Sequence, residues 1–329
     1  MFQTPQRCLR DQRRAGPADM TRLAIIGAGR AAVLHAESSR AVPGVELIGI
    51  GGRSSGRAGA VAAALGCEEL TVDDMIKHAD MLVVAAPPGD TGEVLAQIPP
   101  DRPLVVESPV AVSSTGGASH RHAAHRPKAM LGANLLHAQL VRRGLTAIND
   151  LKDAHHLVLR ANGVRPAWHS ASPERSGATL DLGGRLLPVL LAAAAQRVVE
   201  VSAKLHRPDG FDSAGELDLR LEDGRLIRAE FRWGAEPSGA DIEAAGATAV
   251  VSLGLWPFPV LEADGSEIAS AQSQEPLHAL GFVSQLQRLK AVAEQRAEPW
   301  PELAAGVGTL RIIEAAVLSD RSGNPSQLA

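Results

Sequence analysis

The residues with the clearest chemical purpose are Gly27-Ala28-Gly29-Arg30-Ala31-Ala32, directly behind the apolar run Leu23 to Ile26. A glycine at 27 lets a strand turn sharply into a helix. A glycine at 29 lets backbone approach a pyrophosphate where a Cβ would collide, and Ala32 allows helix and strand to pack closely. The helix that starts here offers free N–H donors and a partial positive charge to an anion. A second run, Glu46 to Ile50, arrives about twenty residues later, as a strand–helix–strand unit requires. The stretch reads as a dinucleotide-binding site.

The tip of the second strand selects the dinucleotide. Where NAD is preferred, an Asp or Glu usually sits there and accepts bonds from the ribose hydroxyls. Here the chain reads Gly51-Gly52-Arg53-Ser54-Ser55, with Arg57 close behind. No carboxylate repels a 2′-phosphate, Arg53 can reach it with charge-assisted bonds and Ser54 with a hydroxyl. This predicts NADP(H).

Groups able to move a proton are scarce. Tyrosine is absent, which excludes every mechanism with a tyrosine acid, and the five lysines are Lys77, Lys128, Lys152, Lys204 and Lys290. His137, in Gly132-Ala-Asn-Leu-Leu-His137, follows the last strand of the first half and could donate or accept a proton near neutrality. Asn134 and His169, beside Trp168, are further candidates for the cleft. Asp181 and Arg185 stand four apart with the acid first, the spacing of an intrahelical ion pair worth about 0.3–0.5 kcal/mol when exposed. The alternative is that Arg185 faces the cleft and binds a carboxylate or phosphate bidentately, with Arg165 assisting. His120, His122 and His125 lie at helical spacings with no neighbouring Cys or acid. They read as a solvated helix face, and no metal site is expected.

The elements that must position these groups alternate over 21–134. Helices are expected from Arg57 to Leu65, from Thr71, from Thr91 to Ala96 and from Ser113 to His125. Strands are expected from Met81 to Ala86, ended by Pro87-Pro88-Gly89, from Leu104 to Glu107 and from Ala129 to Gly132. From about 135 the pattern changes. His155 to Ala161 alternates weakly, Glu216 to Trp233 reads as a hairpin about Asp223-Gly224, and Val250–Leu255 and Val260–Glu262 continue as strands. Leu277–Glu294 and Leu303–Leu318 read as helices. The fold class is α/β: a doubly wound parallel Rossmann sheet followed by an α+β domain with an open, mostly antiparallel sheet. The exposed face of such a sheet needs covering, which predicts a homodimer or tetramer.

Composition closes off other classes. The chain has 329 residues, 45% hydrophobic and 21% charged, with a net charge of -4. That suits about two domains and offers no basic field for nucleic acid. No apolar stretch reaches the roughly eighteen residues of a membrane span. Cys8 and Cys67 make no disulfide framework and suit a reducing cytoplasm. Residues 1–20 are arginine-rich without the apolar core of a secretory signal, and read as a disordered extension.

From residue 21 onward the order of motifs resembles the glucose–fructose oxidoreductase / inositol dehydrogenase (Gfo/Idh/MocA) family. The marks are Gly27-Ala-Gly-Arg with His35 in the first helix, Ala86-Pro87-Pro88, Glu107-Ser108-Pro109, Gly177-Ala-Thr-Leu-Asp181-Leu-Gly183, and a closing helix ending near Gly323. The resemblance implies an NAD(P)-dependent oxidoreductase acting on a small polar molecule between the domains. The cofactor would contact Gly27, Gly29, Arg30 and Ala31, then Arg53, Ser54 and Arg57, then Ala86, Pro87, Pro88 and Glu107. The sequence departs from the family at the chemistry. Ser108 replaces the lysine of Glu-Lys-Pro, Arg185 replaces the histidine four residues after Asp181, and the histidine past the Pro-Pro turn is missing near Thr91. Removing hydride from an alcohol needs a base for the hydroxyl proton, so reduction is favoured. The expected function is NADPH-dependent reduction of a small C=O or C=N compound of anionic character. Ser108 would touch nicotinamide or substrate, with Asp181 and His137 handling protons. The alternatives are a non-catalytic NADP-binding partner or sensor, and a lyase with a tightly held cofactor in a closed redox cycle.

Overall fold

The computed structural model describes residues 20–52, 55–113, 126–151, 154–166, 177–208, 210–234 and 238–328. The helix expected over Ser113–His125 falls, after Ser113, outside the described residues. So do Arg53, Ser54, Trp168, His169 and the three histidines at 120, 122 and 125.

The first sheet is parallel, in the order β3-β2-β1-β4-β5-β6. Its strands are β1 (Thr21–Ile26), β2 (Val45–Gly51), β3 (Glu68–Glu69), β4 (Met81–Val84), β5 (Leu104–Glu107) and β6 (Ala129–Gly132). The central strands are uniformly apolar because helices cover both faces; Met81, Leu82 and Val83 are wholly buried. Between the strands run α1 (Arg30–Ser39), α2 (Ser55–Leu65), α3 (Val72–His78) and α4 (Thr91–Gln97). Strand order reverses between β1 and β4, the place where such sheets open a binding crevice.

After β6 come a short 3-10 turn (Asn134–His137) and α5 (Gln139–Asp150), then β7 (His156–Gly163) and α6 (Ala178–Ala194). The second sheet is completed by β8 (Val198–His206), β9 (Ala214–Leu221), β10 (Leu226–Trp233), β11 (Gly239–Ala245), β12 (Val250–Trp256), β13 (Val260–Ala263) and β14 (Ser266–Ser270). The chain ends with α7 (Pro276–Ala279), α8 (Phe282–Ala293), α9 (Leu303–Ser322) and β15 (Ser326–Gln327). The order is β14-β13-β12-β11-β7-β10-β9-β8-β15, antiparallel throughout except where β7 meets β10. The hairpin turns at Gly224, whose φ of 87° suits glycine.

Several elements differ from the sequence reading. The helix expected over Leu277–Glu294 is broken at Gly281, which has φ 81° and whose Cβ would stand 2.2 Å from the Asn134 carbonyl oxygen. Neither α5 nor β8 was legible. β8 mixes exposed and buried positions along one edge, where Ser319 Oγ and Asp320 Oδ1 accept bonds from the N–H groups of Ala203 and Leu205. The second half of the chain also reaches back: Val283, Leu286, Leu289 and Val292 of α8 share a core with Leu23, Ile25 and Met130. The outer face of the second sheet carries ion pairs such as Arg228–Asp218 at 2.7 Å and Arg160–Asp241 at 3.6 Å, around a cavity of about 520 Å³ lined by Lys204, Glu216, Glu230 and Arg232.

The two sheets are joined through α6. A Cβ at Gly184 would come within 2.7 Å of Pro109 Cγ and 2.9 Å of Pro109 Cβ, so the helix lies directly on the Ser108–Pro109 turn. A Gly184→Val protein should lose roughly 2–3 kcal/mol by overpacking, read as a lower urea midpoint; an unchanged midpoint would mean the helix and turn part freely.

Candidate functional site

The glycine turn is built by contact. Gly27 has φ 137°, donates its N–H to the Gly51 carbonyl at 2.6 Å, and a Cβ there would lie 2.3 Å from the Ala85 carbonyl oxygen. Only glycine lets β1, β2 and β4 end so close together. At Gly29, by contrast, a Cβ would meet nothing within 4 Å. Gly29 is the N-cap of α1 and gives it no side-chain cap; neither α1 nor α2 has an acid in its first turn. Arg30 and Arg57 are exposed at those helix starts, and Ala32 is fully buried against the sheet. Open space over unpaired N–H donors, with no carboxylate among the described residues at these ends, suits a pyrophosphate. After β4, Ala86 and Pro87 border the crevice, and the Pro87 carbonyl accepts from Asp90 N and Thr91 N to start α4; Pro88 is buried.

At the end of β5 the side chains turn differently from expectation. Glu107, expected on the cofactor, meets His35 of α1, with Oε1 2.7 Å from Nε2. Ser108 Oγ is buried with no hydrogen-bond partner among the described residues. Across the turn, α6 presents Asp181 and Arg185 on the same side as Gly184, since residues three and four apart share a helix face. Arg185 donates to Asp181 Oδ1 at 2.8 Å, and Trp233 Nε1 donates to Asp181 Oδ2 at 3.0 Å. Burial pushes the Asp181 carboxyl up from its ordinary value, while Arg185 and the indole pull it down. Each carboxylate oxygen accepts one bond and keeps further lone-pair capacity, and burial prevails, leaving the carboxyl above its ordinary value. Asp181 is held in place by the two donors, and Arg185, with its side chain 45% exposed, faces solvent.

The start of α6 is occupied by the chain itself. Asp212 accepts from Thr179 N through its carboxylate and from Ala178 N through its carbonyl, both at 2.7 Å. Arg165 lies 4.3 Å over the Phe211 ring, which is tilted against Trp233 at 6.0 Å. The two expected arginines are thereby linked through Phe211, Trp233 and Asp181.

Two sequence candidates are displaced from the cleft. Asn134 Nδ2 donates to the Leu280 carbonyl at 2.8 Å, fastening the turn before α8; this accounts for the residue without a substrate. His137 is 9% exposed and packs edge-on against Trp300 at 5.2 Å. Burial, with Arg288 and Arg142 nearby, lowers its pKa to about 4, so it is neutral at pH 7 and holds no proton to give. Trp233, Asp212 and Gly184 were missed in the sequence. Trp233 was recoverable, because two-residue alternation along β10 places Ile227, Ala229, Phe231 and Trp233 on one buried face. Among the described residues no group of three His, Cys, Asp or Glu could hold a metal, and no helix is long and apolar enough to cross a membrane.

The His137 shift has a stability consequence. The unfolded chain binds a proton there below about pH 6.5 and the folded chain only near 4, so this contribution falls as pH drops through that window. At about 1.4 kcal/mol per pH unit, wild type should lose on the order of 3 kcal/mol more than His137→Gln between pH 7 and pH 4. Chemical unfolding of both proteins at the two pH values measures it; equal losses would place the imidazole in water.

Comparison with known proteins agrees with this geometry. Residues 21–135 match the model of the Gfo/Idh/MocA oxidoreductase family, described as an NAD-binding Rossmann fold. No curated protein sequence matches the chain. Among solved structures, GenD2 from gentamicin A biosynthesis, in complex with NAD, is 20% identical with a TM-score of 0.80, covering 96% of this chain and 98% of its own. The WlbA dehydrogenase from Bordetella pertussis, in complex with NADH and UDP-GlcNAcA, is 18% identical with a TM-score of 0.76, covering 95% and 99%. A myo-inositol dehydrogenase from Corynebacterium glutamicum is 19% identical with a TM-score of 0.75, covering 94% and 99%. At these identities the likeness is one of fold. Over residues 21–135 the chain is similar to the Gfo/Idh/MocA oxidoreductase family, and over its whole length it shares the fold of these dehydrogenases.

Proposed function

We propose that this protein is an NADP(H)-dependent reductase of a C=O or C=N group in a small anionic molecule. The observation that carries the reading is the placement of Arg185. Its partner Asp181 is held by Trp233, the α6 N-terminus is filled by Asp212, and Gly184 seats the helix on the Ser108–Pro109 turn. That leaves a half-exposed guanidinium on the helix that packs against the Ser108–Pro109 turn, where the Ser108 hydroxyl is buried and has no partner among the described residues. A guanidinium suits bidentate recognition of a carboxylate or phosphate, and one structural neighbour carries UDP-GlcNAcA alongside NADH.

The cofactor, when bound, supplies hydride. This chain's own residues hold it and orient its target. Gly27 and Gly29 let the backbone approach the pyrophosphate, the α1 N-terminus offers its N–H groups, and Arg57, exposed in the first turn of α2, is a candidate partner for a 2′-phosphate, as Arg53 and Ser54 are by sequence. The Ser108 hydroxyl can bond a carboxamide or a substrate oxygen. Neighbouring structures hold NAD or NADH, so the preference for the phosphorylated form rests on the acid-free β2 tip of this sequence. Fluorescence titration should show NADPH binding at least tenfold tighter than NADH, with Arg57→Glu narrowing the gap; equal affinities would sink the assignment.

A second reading, a non-catalytic NADP-binding partner or sensor, is favoured by the donors already bonded to both Asp181 oxygens. Turnover decides between them. NADPH oxidation with keto acids, sugar lactones or cyclic imines should be detectable, and Arg185→Ala should raise the KM of the anionic ones at least tenfold. Tight NADPH binding without turnover on any of them would favour the sensor.

A further inference from the structure

We propose that Arg165 and Arg185 are two ends of one binding site, and that its occupant carries two anionic groups separated by an uncharged stretch. The proposal rests on the anionic-substrate reading above and narrows its class. One end of the second sheet gathers the groups concerned. β7 and β10 run parallel with Gly163 opposite Trp233, so Arg165, just past the end of β7, leaves the sheet where β10 stops. β9 runs against β10, with Ala214 opposite Arg232, which brings Phe211 to the same end. α6 also starts there, because Ala178 N and Thr179 N donate to Asp212.

Both guanidiniums are held in place. The Arg165 guanidinium lies 4.3 Å over the Phe211 ring, and that ring is tilted against Trp233 at 6.0 Å. Trp233 donates to Asp181, which accepts from Arg185. One train of contacts therefore fixes both cations, with two aromatic rings between them. Arg185 gives Nε and one terminal nitrogen to Asp181, at 3.1 and 2.8 Å, and keeps the other. A ring contact spends none of the N–H donors of a guanidinium, so Arg165 keeps its whole fork.

Arg165 also differs from the arginines on the strands of the same sheet. Arg160, Arg220 and Arg228 each have an acid, at 3.6, 2.8 and 2.7 Å. Arg165 is exposed and has neither a hydrogen bond nor an ion pair among the described residues. A cation fixed on a ring and left without an anion can receive a carboxylate or phosphate bidentately. Asp181 already answers Arg185, so one anionic group docks beside a partly used guanidinium and the other finds an unused one. Between them the half-buried Phe211 ring offers no polar group, which is why the linking stretch is uncharged.

The test uses ligands that cannot be reduced, so it does not depend on turnover. Calorimetric titration of the full chain with NADPH present, at constant ionic strength, compares succinate, glutarate and adipate with the monocarboxylates of equal length. Phosphogluconate is compared with gluconate in the same way, and the two arms tell whether the second group is a carboxylate or a phosphate. At least one doubly charged ligand should bind about tenfold tighter than its singly charged counterpart, the value of one charge-assisted contact. Arg165→Gln should abolish that advantage and leave the singly charged ligands almost unaffected. Arg165→Lys, which keeps the charge without the fork, should recover only part of it. Arg185→Ala should weaken both kinds of ligand. No advantage for any doubly charged ligand, or an advantage that survives Arg165→Gln, would overturn this proposal and leave the anionic-substrate reading standing. Undiminished binding of the singly charged ligands by Arg185→Ala would bring down that reading and this proposal with it.

Discussion

The closeness of α6 to the Ser108–Pro109 turn governs this molecule. The helix carries the charged pair and the turn carries the end of the nucleotide sheet. Their separation is set by the absence of a side chain at Gly184, where a Cβ would stand 2.7 Å from the proline ring. Close packing transmits such contacts because protein interiors do not deform continuously. The same helix is fixed from the other side by the long sheet, where a Cβ on Gly183 would stand 3.3 Å from the Phe231 ring and Trp233 reaches Asp181. The two sheets are further tied by α8, whose apolar face packs with Leu23, Ile25 and Met130.

Buried carboxylates recur where the two sheets meet, and each has its own donor. Asp212 receives the first N–H groups of α6, Asp181 receives an indole and a guanidinium, and Glu107 receives an imidazole. Burial alone raises the pKa of Asp212 and Asp181, so the donors decide whether these groups remain useful anions. At Asp181 the outcome is a carboxyl held above its ordinary value by burial even with the Arg185 guanidinium and the Trp233 indole bonded to it.

Most of the nucleotide half was legible because its signals are local. The glycine turn, the uniformly apolar parallel strands and the breakers after each strand all act within a few residues, and the described residues between Thr21 and Gly132 follow them. The hairpin about Gly224 was legible for the same reason. α5 and β8 were not, because their patterns depend on what lies against them. One edge of β8 is closed by Ser319 and Asp320, more than a hundred residues away in the chain. Gly281 broke an apparently continuous helix because the Asn134 turn passes too near for a Cβ, which no local pattern announces.

For the site, the sequence by itself determined which groups exist: a glycine turn for a dinucleotide, an acid-free tip, an Asp–Arg pair and a serine in place of lysine. These follow from residue type and spacing, which are written in one dimension. Only the tertiary structure decided which of them meet. It withdrew His137 behind Trp300 and tied Asn134 to Leu280, gave Asp181 the distant indole of Trp233, and turned Glu107 onto His35. Partnership between residues dozens of positions apart is set by packing and burial, and burial is what converts an ordinary side chain into an anchor.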